Sequence, residues 1–296
     1  MSVEPNGRGL IFLISQPRAG STLLQRILGG HPQIHTLSEP WVMLHPFYAL
    51  RPSGYEAEYE ARKARKATHS FVEALPGGEA DYIEGVRRMY AYLYGRMLEA
   101  SGKAYFLDKT PRYYLILPEL FRTFPESQFI FLLRNPLAVL SSILSTFVKG
   151  EWYLLNVFRD DLIRAPGAIL SAMDSLTTAP NIVRYELLVT DPDREVRQLC
   201  ERLGLEFRPE MIEYGSQAEK RPSWALGDKK SVYLHSVHLH SRPVAQKAEG
   251  WQETLADPQA WRLARDYLDV LGDDTVKRLG YDGDDLRRVL ESHRPA

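Results

Sequence analysis

The sequence predicts a single α/β domain over residues 1–296, with helices covering both faces of a mainly parallel central sheet. Two observations support this three-layer fold. Short apolar runs alternate along the chain with segments of helical spacing, and glycine or proline separates them. Apolar residues make up 44% of the chain, enough to build such a core. Because ligands of these sheets bind beyond the carboxyl ends of the strands, we look for a site in the segments that follow each strand.

The first predicted strand covers residues 10–15, an apolar run that is too short for a helix. A turn around Gly20 follows it, and Ser21 opens a helix that continues through Leu28. Glycine lets the backbone pass close to an anion, and the free amides at a helix start add partial positive charge. The sequence therefore predicts a phosphate-binding turn, although an ordinary capped strand–helix turn is the alternative; its residues are Arg18, Ala19, Gly20, Ser21, Thr22 and Leu23.

Residues 41–103 are predicted to form a helical insertion. Its last helix has one apolar stripe at steps of three and four residues. We expect Asp81 to cap the start of this helix and Gly102 to end it. The stripe consists of Ile83, Val86, Tyr90, Leu93 and Met97.

Three further strands are predicted at residues 105–107, 128–133 and 181–185. Lys109 follows the first of them and Arg134 the second. Since parallel strands end at one edge of a sheet, Arg18, Lys109 and Arg134 should converge there. Further helices are predicted over 137–144, 193–203 and 257–279, and residues 207–250 are predicted to be a long loop with short helices.

Charge and composition argue against several classes of function. The chain has 37 Lys and Arg against 38 Asp and Glu, so it has no overall attraction to nucleic acid or to an anionic membrane. We find neither a signal-peptide pattern nor an apolar run near the ~20 residues of a membrane span, and we expect a cytoplasmic protein without a membrane anchor. The sequence leaves the oligomeric state open.

The single cysteine and a histidine cluster are weaker candidates for chemistry. Cys200 lies on the apolar face of a predicted helix, and we predict a buried thiol rather than a nucleophile. No cysteine accompanies the histidine cluster, and its stretch has no clear helical pattern. We therefore predict no metal site at His235, His238 and His240.

Two motifs together resemble a known family. Residues 17–24, Pro-Arg-Ala-Gly-Ser-Thr-Leu-Leu, resemble the 5′-phosphosulfate loop of the sulfotransferases that use 3′-phosphoadenosine 5′-phosphosulfate (PAPS). Arg134 and Ser142, eight residues apart, are similar to that family's 3′-phosphate motif. An arginine at a strand end and a hydroxyl in the next helix can hold one phosphate from two sides. The match is to the bacterial, carbohydrate and tyrosylprotein branches, in which arginine is common at position 18.

The resemblance also implies cofactor contacts later in the chain. Tyr185 stands where the family places a tyrosine near the adenine, and Gly250 with Trp251 resembles the segment that closes over the cofactor. Lys247 or Arg242 would then meet a phosphate. The implied fold is P-loop-like, and the helical insertion would cover the acceptor side.

The resemblance implies transfer of a sulfonate to a hydroxyl of a carbohydrate or small-molecule acceptor, with release of adenosine 3′,5′-bisphosphate and no need for a metal. Arg18 and Lys109 would neutralise the 5′ side and the moving sulfonate. Glu39 would be the general base, as in the tyrosylprotein and bacterial sugar branches, or would only cap a turn. The cytosolic branch has a histidine two residues beyond its lysine, where this chain has Pro111.

Two other interpretations remain open at the level of sequence. A phosphate-loop kinase or nucleotide hydrolase should show Gly-Lys-Ser/Thr, but Gly20 is followed directly by Ser21. Such an enzyme also needs a strand-end aspartate for magnesium, for which Asp108 is a poor candidate. A nucleotide-binding module without catalysis is the second alternative, and the presence of Lys109 and Glu39 speaks against it.

Overall fold

In the part of the chain that the structure describes, five strands form one sheet in the spatial order β2-β3-β1-β4-β5. The structure is a computed structural model that describes residues 4–37, 39–51, 61–214, 242–255 and 257–295. Every neighbouring pair of strands is parallel, which confirms the predicted sheet and brings all carboxyl ends to one edge. The strands are β1 (Leu10–Ser15), β2 (Ile34–Thr36), β3 (Tyr105–Asp108), β4 (Gln128–Leu133) and β5 (Asn181–Arg184).

Helices connect the strands, and three of those that the structure describes fall in the predicted helical insertion between β2 and β3. A π-helix, Leu144–Val148, continues directly from α6. The helices are α1 (Ser21–Gly29), α2 (Leu44–Tyr48), α3 (Ala61–Ala74), α4 (Glu79–Ser101), α5 (Leu117–Thr123), α6 (Pro136–Ile143), α7 (Arg159–Asp174), α8 (Tyr185–Thr190), α9 (Pro192–Leu203), α10 (Trp251–Leu255), α11 (Pro258–Leu271), α12 (Asp273–Arg278) and α13 (Gly283–Ser292). None of the described helices has the length and apolar character that a bilayer crossing needs.

The three layers follow from the alternation of side chains along the buried strands. Phe12 and Ile14 of β1 pack with α4, α5 and α7 on one face of the sheet. Ile11 and Leu13 pack with α1, α8 and α9 on the other face. Because successive residues of a strand point to opposite faces, an uninterrupted apolar run is what a sheet covered on both sides requires.

Two further packing features bear on the site. A third apolar cluster joins α6 to the C-terminal helices α10, α11, α12 and α13, and it includes Ala19 from the turn after β1. Cys200 is buried in the cluster under α9, as predicted, and burial raises the pKa of its thiol to about 11. That thiol is protonated and inert at neutral pH.

The structure differs from the sequence prediction at three places. Strand β2 was not predicted because its three residues offer no apolar run. Asp81 is not the cap of α4, which begins at Glu79; instead the Asp81 carboxylate accepts a hydrogen bond from the Gly77 amide at 2.7 Å. The predicted helix over 257–279 is divided at Gly272, whose φ of 76° interrupts the helical backbone.

Candidate active site

The segments that follow the five strands lie side by side along the carboxyl edge of the sheet. In the spatial order of the strands, they carry Glu39 after β2, Lys109 after β3, the turn 16–20 after β1, Arg134 after β4 and Tyr185 after β5. The structure therefore brings to one edge the residues that the sequence predicts to converge. Their contacts with one another define the candidate active site.

The turn between β1 and α1 has a backbone suited to an anionic group. Arg18 has φ 70° and Gly20 has φ 101°, and α1 begins at the next residue. A Cβ atom on Gly20 would lie 2.3 Å from Cδ2 of Tyr185, so both conformation and space require glycine. The first amide groups of α1 have no carbonyl partner within the helix, and the helix dipole favours negative charge near them.

The other residues predicted in this turn take different positions. Ala19 and Leu23 are buried in apolar clusters, so they can offer only backbone groups to a ligand. Ser21 is buried at the start of α1. Thr22 is partly exposed, and its hydroxyl lies 3.5 Å from the Nζ atom of Lys109.

Lys109 and Glu39 form an ion pair beside the start of α1. The Lys109 side chain is 2% exposed, and its Nζ atom donates to Glu39 Oε1 at 2.5 Å. Burial lowers the pKa of the Lys109 ammonium, and the neighbouring Glu39 carboxylate acts in the opposite direction. Lys109 is therefore a buried cation that contacts a carboxylate, and it is not a solvated loop lysine.

Arg18 is held by the segment that follows β4. Its Nε atom donates to Ser142 Oγ at 3.0 Å, and its Nη2 atom donates to Thr146 Oγ1 at 3.0 Å. The guanidinium carbon also lies 5.3 Å from the ring centroid of Phe147. Burial, with a smaller contribution from Arg134, lowers the pKa of Arg18 to about 10. The sequence interpretation pairs Ser142 with Arg134 on one phosphate, whereas here the Ser142 hydroxyl accepts from Arg18.

Arg134 joins the glycine turn to Tyr185. Its Nη1 atom donates to the carbonyl oxygen of Arg18 at 2.9 Å, and its guanidinium carbon lies 4.0 Å from the ring centroid of Tyr185. Its Nε atom is buried and has no hydrogen-bond partner among the described residues. Arg134, Tyr185 and Gly20 therefore form one continuous surface, and Arg134 is a direct neighbour of the turn rather than a residue on another side of the molecule.

The C-terminal candidates differ in their burial and contacts. Trp251 begins α10 and is buried against α6, while Gly250 before it is exposed. Arg242 is exposed and forms an ion pair with Glu213 at 3.5 Å. Outside the described residues lie the side chain of Lys247 and the histidines His235, His238 and His240.

Sequence reasoning missed Thr146 and Phe147 and undervalued Asp108. Thr146 and Phe147 belong to the π-helix. The spacing of apolar residues in the sequence does not distinguish a π-helical turn from an α-helical one, although π-helical turns are frequent at functional sites. Asp108, considered only as a poor magnesium ligand, is buried and accepts three hydrogen bonds from hydroxyl groups. Among the described residues, no group of three or more histidines, cysteines and carboxylates could hold a metal ion.

A model of the sulfotransferase family matches residues 11–209, more than half of the chain. Nodulation protein NoeE of Sinorhizobium fredii is 29% identical over 92% of this chain and 66% of its own length. Protein-tyrosine sulfotransferase A of Caenorhabditis elegans is 24% identical over 69% of this chain and 52% of its own length. The chain thus spans between half and two thirds of the length of these two relatives.

Two solved structures have a similar fold. The sulfotransferase domain from the curacin biosynthetic pathway aligns with a TM-score of 0.57 over 93% of this chain and 98% of its own, at 21% identity. The sulfotransferase domain from the Synechococcus PCC 7002 olefin synthase aligns with a TM-score of 0.51 over 87% of this chain and 94% of its own, at 20% identity. At these identities the likeness shows a shared fold.

Proposed function

The chain belongs to the sulfotransferase family, and from that premise we propose that it transfers the sulfonate of PAPS to a hydroxyl of a carbohydrate or small-molecule acceptor. In this reaction the acceptor oxygen bonds to sulfur while the bond between sulfur and the bridging phosphate oxygen breaks. The acceptor proton passes to a base on the protein. The products are a sulfate ester and adenosine 3′,5′-bisphosphate.

The observation that carries the proposal is the meeting of three groups at Lys109. Its Nζ atom contacts the Glu39 carboxylate at 2.5 Å and lies 3.5 Å from Thr22 Oγ1 at the start of α1. A base, a buried cation and an anion-binding helix start are therefore adjacent. Sulfonyl transfer needs this combination, because charge develops on the leaving phosphate while a proton leaves the acceptor.

We assign the two ends of the donor to opposite sides of β1. Lys109, after β3, and the guanidinium of Arg18 would face the sulfonate and the 5′-phosphate. Arg134, after β4, would hold the 3′-phosphate together with the Ser142 hydroxyl, which would exchange its contact with Arg18 for the phosphate. Tyr185 would contact the adenine. Strands β3 and β4 both neighbour β1, so their ends are separated by two strand spacings, about 10 Å. One nucleotide can bridge this distance.

Glu39 is the proposed general base. In the structure its Oε1 atom is occupied by Lys109, and its Oε2 atom lies 3.4 Å from the indole Nε1 of Trp41. A bound sulfonate would compete for the Lys109 ammonium. The Glu39 carboxylate would then be free to accept the proton of the acceptor hydroxyl, which must lie between Glu39 and the sulfur for in-line attack.

Two measurements test the proposal and separate it from its alternatives. Thermal shift should show stabilisation by adenosine 3′,5′-bisphosphate, of about 2.7 kcal/mol at a hundredfold excess over Kd. Stabilisation by ATP with magnesium in its place would favour a phosphate-loop kinase or hydrolase. Radiolabelled PAPS should then pass its sulfonate to an acceptor from a panel of oligosaccharides, small alcohols and tyrosyl peptides. Binding of the bisphosphate without transfer to any acceptor would favour a nucleotide-binding module.

A further inference from the structure

Asp108, the last residue of β3, is a buried carboxylate that has no direct role in the proposed reaction. Its side chain accepts hydrogen bonds from the hydroxyls of Tyr94 at 2.6 Å and Tyr113 at 2.9 Å, both at Oδ2. Thr110 donates to its Oδ1 atom at 3.2 Å. An isolated carboxylate would be costly to bury, and these three donors satisfy it.

Two of these hydroxyls also accept hydrogen bonds from the loop after β2. The backbone amide of Trp41 donates to Thr110 Oγ1 at 3.1 Å, and the amide of Met43 donates to the Tyr113 hydroxyl at 3.3 Å. Each hydroxyl therefore accepts a hydrogen bond from the loop and donates one to Asp108. Hydrogen bonds that run in one direction polarise and strengthen one another, and both chains end on the Asp108 carboxylate.

The loop has a backbone that needs such support. Residues 39–43, hereafter the Glu39 segment, include two non-glycine residues in the left-handed range, Glu39 at φ 25° and Trp41 at φ 59°. Such conformations are unfavourable for residues with a Cβ atom and persist only where neighbouring contacts hold them. Trp41 is both a strained residue and an anchored one. Between the two anchored amides, the Val42 carbonyl accepts from the Tyr90 hydroxyl at 2.8 Å.

We propose that Asp108 is a positioning residue that holds the Glu39 segment through Thr110 and Tyr113, so that the Glu39 carboxylate stays beside Lys109. Asp108 precedes Lys109 in the chain, and one strand end therefore sets the position of both members of the ion pair. The role of Asp108 in sulfonate transfer rests on the proposed function, in which Glu39 takes the acceptor proton. The role of Asp108 in holding the Glu39 segment does not depend on that function.

A matched pair of substitutions tests the positioning role. Tyr113→Phe and Tyr94→Phe each remove one hydroxyl that donates to Asp108 Oδ2, and both tyrosines are buried. Of these two tyrosine hydroxyls, that of Tyr113 also accepts a hydrogen bond from an amide of the Glu39 segment, and among the described residues no such bond is made to Tyr94. Amide hydrogen exchange should therefore become at least about fivefold faster at Met43 in Tyr113→Phe and should stay near wild type in Tyr94→Phe.

A second pair addresses the other chain of hydrogen bonds. Thr110→Val keeps the shape of the side chain but removes the hydroxyl, and exchange at the Trp41 amide should accelerate at least about fivefold. Thr110→Ser retains the hydroxyl and should restore protection. A side chain that only filled space would give the opposite order, since valine is closer to threonine in volume.

The same substitutions should affect kcat and the KM for PAPS to different extents. Tyr113→Phe and Thr110→Val should lower kcat about tenfold or more and leave the KM for PAPS within about twofold, while Tyr94→Phe should keep kcat within about threefold. If Tyr113 acts through Glu39, then Tyr113→Phe should cause no further loss in a Glu39→Gln background.

The outcomes are distinguishable. Unchanged exchange at Trp41 and Met43 in Thr110→Val and Tyr113→Phe would overturn the positioning role, whatever happens to activity. Equal effects of the two Tyr→Phe changes, or additive effects of Tyr113→Phe and Glu39→Gln on kcat, would overturn it as well. If the wild-type protein transfers no sulfonate, the proposed function fails, and the exchange measurements still decide whether Asp108 holds the loop.

Discussion

Replacing Gly20 by alanine should lower both the stability of this protein and its affinity for the donor. The backbone at Gly20 has φ 101° and ψ 15°, outside the range that residues with a Cβ atom normally adopt. The added carbon would lie 2.3 Å from Cδ2 and 2.5 Å from Cε2 of Tyr185. Carbon atoms pack without strain at about 3.5–4.0 Å, so the ring must move by about 1 Å or more.

The two effects can be given magnitudes. A left-handed conformation costs a residue with a Cβ atom about 1–2 kcal/mol, and forcing an extra carbon into a packed position costs about 1–3 kcal/mol. The free energy of unfolding should therefore fall by about 2–5 kcal/mol. The Arg134 guanidinium carbon lies 4.0 Å from the same ring, so displacement of Tyr185 should also move that arginine. We expect affinity for adenosine 3′,5′-bisphosphate to fall at least about tenfold, which is about 1.4 kcal/mol.

Gly102→Ala is the matched control. Gly102 ends α4 with φ 66°, and among the described residues no atom beyond its own chain neighbours and helix backbone lies within 4 Å of the position that its Cβ would take. This variant should lose only the conformational cost of about 1–2 kcal/mol of unfolding free energy and bind the bisphosphate like wild type. Denaturant unfolding and calorimetry on both variants provide the comparison. Equal losses of stability, together with wild-type affinity in Gly20→Ala, would refute the close packing of Tyr185 on the turn.

Three further predictions concern single charged groups. Arg134→Ala removes a charged hydrogen bond worth about 1.5–3 kcal/mol, so calorimetry should show bisphosphate binding weakened about ten- to a hundredfold; unchanged binding would contradict the assignment to the 3′-phosphate. Glu39→Gln should bind the bisphosphate normally but turn over at least about a hundredfold more slowly, and normal turnover would exclude Glu39 as the base. Burial raises the pKa of Asp108 from 3.8 to about 6, so the native state binds a proton more tightly than the unfolded chain does. The contribution of Asp108 to the free energy of unfolding is full below pH 3.8 and is lost as the pH rises through about 6, a total change of about 3 kcal/mol. The Asp108→Asn variant should lack this pH-dependent contribution. If the free energies of unfolding of the two proteins changed in parallel between pH 4 and 8, the prediction would be contradicted.

The parts of the fold that could be predicted are those with a strong local signal. Strands β1 and β4 are six residues long and each contains five consecutive apolar residues, and a turn-forming residue follows each one. The glycine turn was predictable because a left-handed residue directly before a helix strongly favours glycine. Parallel pairing then follows from the alternation of strands and helices. Because parallel strands end at one edge of the sheet, the convergence of Arg18, Lys109 and Arg134 could be predicted as well.

The parts that could not be predicted depend on contacts between residues far apart in sequence. Strand β2 has three residues and lies at an edge of the sheet, where it needs no apolar run. Asp108 resembles any strand-end aspartate in sequence, since its role depends on where the fold places Tyr94 and the amides of the Glu39 segment. The Ser142 hydroxyl lies 124 residues from Arg18 in sequence, and the spacing of Ser142 from Arg134 suggests a different partner.

The order of the strands divides the candidate active site into two sides around β1. On the side of β4 and β5 lie Arg134 and Tyr185, a cation and an aromatic ring, which bind the nucleotide in the proposed function. On the side of β3 and β2 lie Lys109 and Glu39, a cation and a carboxylate, and Glu39 is the proposed base. Arg18 belongs to the turn after β1, between the two sides, and its carbonyl oxygen accepts from Arg134. Substitution of Arg134, which follows β4, should therefore change the Kd of the donor, and substitution of Lys109, which follows β3, should change kcat. Substitutions in the turn after β1 should change both quantities together.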